Sequence, residues 1–147
     1  MNIHDYLGQS LKSDGLVELF ELYDVDVAYS YDRLYENTPD AYHGSISGLG
    51  LQFMFNEYQI LTTIFVYTTE TDRFNAADTS NMGLTTFDSK AEAIKHASEN
   101  NQLYKEGKAT FLGTDRDWIK IVFERHTIHY EYRSGKLGLV TIEVINA

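Results

Sequence analysis

An α+β fold, with N-terminal helices and one middle helix packed on a mostly antiparallel sheet, is predicted by three observations. Residues 118–145 read as a C-terminal three-stranded meander over 118–124, 127–133 and 137–145, because apolar and polar side chains alternate there with period two. Apolar residues near the N-terminus recur at helical spacing, and Ser89-Lys90-Ala91-Glu92 is a capping box that opens a helix in the middle of the chain. The 147 residues, 43% apolar and 14% aromatic, suit one globular domain over 1–147. A chain of that length buries roughly two thirds of its unfolded surface.

Taken in order, residues 2–11 are expected to be helical: Asn2 can cap, Asp5 sits near the positive end of the dipole, and Ile3, Tyr6, Leu7 and Leu11 share a face. Ser13-Asp14-Gly15 interrupts, and Ser13 or Asp14 can cap a second helix over 16–22. That helix puts Leu16, Leu19, Phe20 and Tyr23 on one side and Glu18 and Glu21 on the other; a helix pair and one bent helix fit equally. Residues 24–29 alternate as a strand, and 30–43 read as a surface strand and loop in which the only proline, Pro39, marks a turn. Residues 49–55 form a strand, Asn56-Glu57 bends the chain, and 60–68 return as a central strand, apolar on both faces.

The stretch 69–86, rich in Thr, Asn, Asp, Ala and Ser, is expected to be a long loop, either mobile or functional. The capped helix runs to about Glu99 with Ala93, Ile94 and Ala97 as a narrow stripe, and Asn100-Asn101 ends it. A turn at Glu106-Gly107-Lys108 leads to a short strand over 109–112, and Gly113-Thr114-Asp115 turns into the meander, whose last hairpin carries Ser134-Gly135.

Charge narrows the function. The net charge is -10, and it is uneven: residues 1–88 hold 14 Asp/Glu against 3 Lys/Arg, whereas 89–147 hold 8 against 9. An acidic half argues against nucleic acid as a direct ligand, which needs Lys and Arg to neutralise phosphates. It suits a basic protein partner, or simply a soluble surface. Zero cysteines remove disulfides and thiolate chemistry. Residues 1–5 have neither the basic nor the apolar part of a signal peptide, and no run approaches the roughly 20 apolar residues of a membrane span. A cytoplasmic location and no membrane partner are therefore expected.

No chemical motif is specific. His126-Thr127-Ile128-His129 is H-x-x-H, but on a strand this spacing sends the two imidazoles to opposite faces. Acid–base pairs could be drawn from His43, His96, His126 or His129 with Lys120, yet sequence separation neither supports nor excludes convergence. Asp24 and Asp26 share a strand face without a nearby Lys or His, a pattern usual for solvated carboxylates. Gly44-Ser45-Ile46-Ser47-Gly48-Leu49-Gly50 lacks the Lys-Ser/Thr pair and following helix of a phosphate loop. No catalytic residue, metal ligand or cofactor is expected.

What stands out is the mixture of tyrosines and carboxylates: Glu18, Glu21, Asp24, Asp26, Tyr29, Tyr31, Asp32, Tyr35, Glu36, Asp40 and Tyr42. Tyrosine gives large contact area at low entropic cost, and carboxylates complement a basic surface, so these eleven are the expected partner-binding residues. The plain alternative is half-buried sheet tyrosines with their hydroxyls at the surface.

Two blocks carry a family resemblance. One is Gly48-Leu49-Gly50-Leu51-Gln52-Phe53 followed by Leu61-Thr62-Thr63-Ile64-Phe65-Val66-Tyr67; the other is Gly83-Leu84-Thr85-Thr86-Phe87-Asp88-Ser89-Lys90-Ala91-Glu92-Ala93 followed by the meander through Tyr130, Tyr132 and 139–142. With the acidic N-terminal part, the chain resembles the small immunity proteins of bacterial polymorphic toxin systems, including contact-dependent growth inhibition, over about 48–145. The resemblance implies a cytosolic, non-enzymatic inhibitor that binds the C-terminal domain of a cognate toxin, often a nuclease, and occludes its active-site cleft. It assigns no binding residues, since different immunity families use different surfaces. The alternatives are a small hydrolase or nuclease using His126 or His129, and a small-ligand-binding module.

Overall fold

Alternation decides which side of each strand is dry. The computed structural model describes residues 2–30 and 40–145. Its strands are β1 (Val27–Ser30), β2 (Ala41–Ile46), β3 (Leu51–Phe55), β4 (Leu61–Tyr67), β5 (Leu103–Phe111), β6 (Thr114–Val122), β7 (His126–Arg133) and β8 (Lys136–Val144). All pair antiparallel in one sheet, in the order β1-β2-β3-β4-β8-β7-β6-β5. Two four-stranded meanders, β1–β4 and β5–β8, are thus joined where β4 meets β8, with Ile64 opposite Ile142 and Val66 opposite Val140. The α+β class, the antiparallel sheet and the closing meander are those predicted, and β5 extends that meander to four strands.

One face carries the core. Leu51, Phe53, Phe55, Ile64, Val66, Val140, Ile142, Ile128, Tyr130, Ile119 and Ile121 are all buried on it. Fully burying a side chain the size of Phe53 contributes on the order of 1.5–3 kcal/mol. Helix α1 (Asp14–Leu22) lies here with Leu16, Leu19 and Phe20 inward, and the Phe20 ring meets Phe53 edge-on at 5.5 Å. Gly44 of β2 makes room for it, since a Cβ there would stand 3.0 Å from the Phe20 ring. Helix α2 (Lys90–Glu99) seats Ala93 and Ala97 near Ile119 and Ile121. The Ser89 half of its capping box forms, Ser89 Oγ accepting from the Glu92 amide, while Glu92 Oε2 reaches one residue further back and accepts from the Asp88 amide at 3.1 Å.

The other face has no helix on it. A row of side chains crosses it from Lys105 through Lys120, His129, Thr141 and Phe65 to Gln52, five of these half-buried and Lys105 exposed. β4 is central, as expected, but it is covered by packed elements on one face only, apart from Phe74, which stacks on Tyr67 at 4.3 Å.

Because β4 sits mid-sheet and β5 at the far edge, the chain between them must cross the packed face. Two phenols hold that crossing. Tyr130 Oη donates to the Thr85 carbonyl at 2.7 Å and Tyr132 Oη to the Phe87 carbonyl at 2.9 Å. Both rings are 1% exposed, and burial raises both phenol pKa values, that of Tyr132 to about 12. The supposed loop 69–86 is therefore tied down: Phe74 and Met82 are buried, a 3-10 turn forms over Thr79–Asn81, and the Ile3 amide donates to the Met82 carbonyl at 3.0 Å.

Three local expectations fail. Residues 2–11 form a single 3-10 turn, Ile3–Tyr6, because Gly8 at φ +83° ends it and the backbone then pairs with residues 59–61 instead. Gly107 lies inside β5, not in a turn: the Trp118 ring rests over it, where a Cβ would come within 2.7 Å. The true turn is Leu112-Gly113, at φ +51° and +77°, the same two-residue form as Ser134-Gly135 at +51° and +79°. Tyr23, placed on the inner stripe of α1, is the residue after the helix and is 42% exposed.

Tyr130→Phe and Tyr132→Phe should each cost roughly 1–2 kcal/mol, one buried hydrogen bond lost with its carbonyl left short of a donor. Urea denaturation reads the loss, and amide exchange over 83–89 should accelerate more than in β3.

Candidate functional site

Seven of the expected binding residues are described, and they lie on α1, β1, the link between α1 and β1, and β2 with the residue before it. Glu18 and Glu21 project from the outer side of α1, Asp24 and Asp26 lie on the link to β1, Tyr29 is on β1, and Asp40 and Tyr42 are at the start of β2. Tyr31, Asp32, Tyr35 and Glu36, like the turn at Pro39, lie outside the described residues. β1 pairing with β2 sets Tyr29 opposite Tyr42, their rings 4.8 Å apart and tilted by 37°. Tyr29 Oη donates to Asp40 Oδ2 at 2.6 Å, and that bond, ahead of any burial, pushes the phenol up to about 12. Tyr42 leans on the core, so it is the half-buried sheet tyrosine of the plain alternative, while Tyr29 is 48% exposed.

Among the described residues, no ion pair engages Glu18, Glu21, Asp24, Asp26 or Asp40. Interleaved with them are apolar side chains that the sequence did not single out: Leu22 at 74% exposed, Tyr23 at 42%, Val17 at 38% and Val27 at 37%. The signal was available, because Val17 lies one turn before Glu21 and Leu22 one turn after Glu18, on the outward side of α1. Val17, Glu21, Asp24 and Val27 rim a shallow depression of about 270 Å³ floored by Phe20. Acid groups around exposed apolar surface make a mixed patch, suited to a basic protein surface that also has apolar ground.

The H-x-x-H pair is split across the sheet, as its spacing predicts. His126 turns to the packed face and stacks on Phe123 at 4.9 Å and on His4 at 5.5 Å. His129 turns to the open face and stacks on Trp118 at 5.4 Å, beside Lys120 and Glu143. Both pKa values lie below the usual 6.5, His126 through desolvation and then the nearby His4, His129 mainly through desolvation. Among the described residues no three His, Asp or Glu side chains are grouped so as to hold a metal ion, and no helix is long and apolar enough to cross a membrane.

A third feature lies between the sheet and the crossing segment. Two adjoining hollows, of about 640 and 230 Å³, share His4, Phe123 and His126. Phe87, His96, Gln102 and Tyr130 line the inner one. No sequence signal marked it, since its walls come from residues near 4, 87, 102 and 126 that only the fold brings together.

Because folding lowers the pKa of His126 and His129, the unfolded chain takes up protons first as pH falls below 6.5. Stability from these groups is complete above that pH and declines below it. The urea midpoint should therefore drop between pH 7.5 and 5.5, and drop less in the His126→Gln/His129→Gln variant. No protein-family model, curated protein or solved structure matches this chain.

Proposed function

We propose that the protein is a stoichiometric inhibitor, an immunity protein that binds the C-terminal domain of a cognate bacterial toxin and blocks its active-site cleft. The observation that supports this best is the edge formed by α1, β1 and β2, where Glu18, Glu21, Asp24, Asp26 and Asp40, none in an ion pair among the described residues, lie around Val17, Leu22, Tyr23, Val27 and Tyr29. A nuclease cleft is basic because its substrate is a polyanion, and a carboxylate-rich surface competes for the same groups. The exposed apolar residues supply the dry centre such an interface needs, and the carboxylates its rim. Tyr29, held by Asp40 and packed at a tilt against Tyr42, is presented as a pre-ordered aromatic contact. On this reading the protein acts in the cytoplasm, uses no metal or cofactor and catalyses nothing.

The partner to test is the toxin domain encoded beside the gene. The wild-type protein should bind it one to one and neutralise it in a growth assay; failure of both ends the proposal. Glu18→Lys/Glu21→Lys/Asp24→Lys should slow association and weaken binding at least about ten-fold at low salt, an effect that shrinks as salt rises. The three residues are exposed and in no ion pair among the described residues, so the melting temperature should hardly move. Glu143→Lys, on the open face, is the control expected to bind normally.

A further inference from the structure

The sheet ends on β5, at the opposite edge from β1, and that edge is open. Only β6 pairs with it, and no other strand lies beside it among the described residues. It runs for nine residues, Leu103–Phe111, with neither a proline nor a bulge to turn a second strand away. Leu103, Lys105, Glu106, Lys108, Ala109 and Thr110 are exposed. A long open edge is a template for another strand unless its side chains forbid the pairing.

The hairpin fixes which backbone groups are free. Leu112-Gly113 is a two-residue turn, so Phe111 and Thr114 close it as a hydrogen-bonded pair. The pattern then alternates: residues 103, 105, 107, 109 and 111 turn their amides and carbonyls to β6, and Tyr104, Glu106, Lys108 and Thr110 turn theirs outward. β6 agrees with this phase, since the Asp115 carbonyl accepts from the Ser134 amide on its β7 side.

Two copies related by a two-fold axis must join antiparallel through those four outward residues. With the axis at Glu106 two glutamates would meet, and at Lys105 or Lys108 two lysines would. With the axis at Gly107 the whole strand is used, Glu106 stands opposite the partner's Lys108, and Lys108 opposite the partner's Glu106. The four charges then form a square in which each neighbour, along the strand or across it, has the opposite sign. Glu106 and Lys108 share the packed side of the sheet, where Lys90 of α2 already pairs with Glu106 at 3.4 Å. Gly107 brings no side chain to the axis, and the Trp118 ring covers it on the open face. Lysines alone would guard this edge; the order Glu106-Gly107-Lys108 makes it self-complementary.

We propose that the protein forms a two-fold symmetric dimer in which β5 pairs antiparallel with β5 of a second copy about Gly107, joining the two sheets into one. The acidic edges then lie at the far ends of the joined sheet, so each chain keeps its own free. The dimer does not rest on the inhibitor reading, because a chain that stayed monomeric would overturn the dimer and leave toxin binding untouched.

Sedimentation velocity of the full chain between roughly 1 and 500 µM tests it, since mass action favours a dimer as concentration rises. The wild-type chain should pass from monomer to dimer and no further. Lys108→Glu and Glu106→Lys each set like charges across the axis and should weaken association at least about ten-fold. Mixing these two variants restores both opposite pairs, so they should form a heterodimer with affinity near that of wild type. Lys105→Cys/Ala109→Cys checks the register. Those positions face each other across the axis, but within one chain they lie about 13 Å apart, too far for a disulfide. Mild oxidation should therefore link two chains of the double variant and none of Lys105→Cys alone.

A wild-type chain that stays monomeric, a dimer indifferent to Lys108→Glu, a mixture no tighter than its components, or no covalent dimer from the cysteine pair would overturn the proposal. Glu106→Lys gives up its Lys90 partner. If it folds poorly, Lys108→Glu and the cysteine pair still decide, because Lys108 is exposed and in no ion pair among the described residues.

Discussion

Much of the molecule depends on how the chain gets from β4, in the middle of the sheet, to β5 at its far edge. The crossing segment must lie on the packed face, yet its backbone is polar and cannot be buried there without partners. Tyr130 and Tyr132 resolve this conflict, because each ring belongs to the core while its hydroxyl satisfies a carbonyl of the crossing chain. With Thr85 and Phe87 fixed, α2 starts where its alanines meet β6, and the 3-10 turn at the N-terminus has Met82 to dock against. The open face and the adjoining hollows follow from the same route: a chain that crosses on one side leaves the other side bare and roofs the hollows beneath it.

How much of this is legible in the sequence depends on the range of the interaction involved. The closing strands, the Ser134-Gly135 hairpin and the capping box at Ser89 are set by neighbours a few residues apart, and they form as read. Residues 2–11 carry a helical pattern too, but Gly8 breaks it and residues 59–61 offer backbone partners that local spacing cannot reveal. Gly107 shows the opposite error. A glycine between Glu106 and Lys108 has the composition of a turn, but it is there because Trp118, eleven positions later, needs the space above it.

The acidic edge is legible as chemistry and only partly as geometry. Carboxylates and tyrosines could be counted from the chain, and the pairing of β1 with β2 turns that count into a surface on which Tyr29, Asp40 and Tyr42 touch. The exposed apolar residues of α1 were hidden by their type: leucine and valine are read inward by default, although the phase of Leu22 and Val17 points outward with the glutamates. The hollows under the crossing segment left no trace in the sequence, since their walls meet only in the fold.

The placement of β8 bears on how the protein comes into being on the ribosome. β8 is synthesised after the seven other strands, yet it is the strand that joins the two meanders, contacting β4 on one side and β7 on the other. Until it emerges, β4 has a bare hydrogen-bonding edge and the first meander is a half-sheet with its apolar face unfinished. Such an edge is a template for pairing with other nascent chains. Pairing between segments 78 residues apart in sequence, Ile64 with Ile142, is also slow by topology. The nascent protein therefore passes through a period of vulnerability that ends only when its central strand is threaded into place.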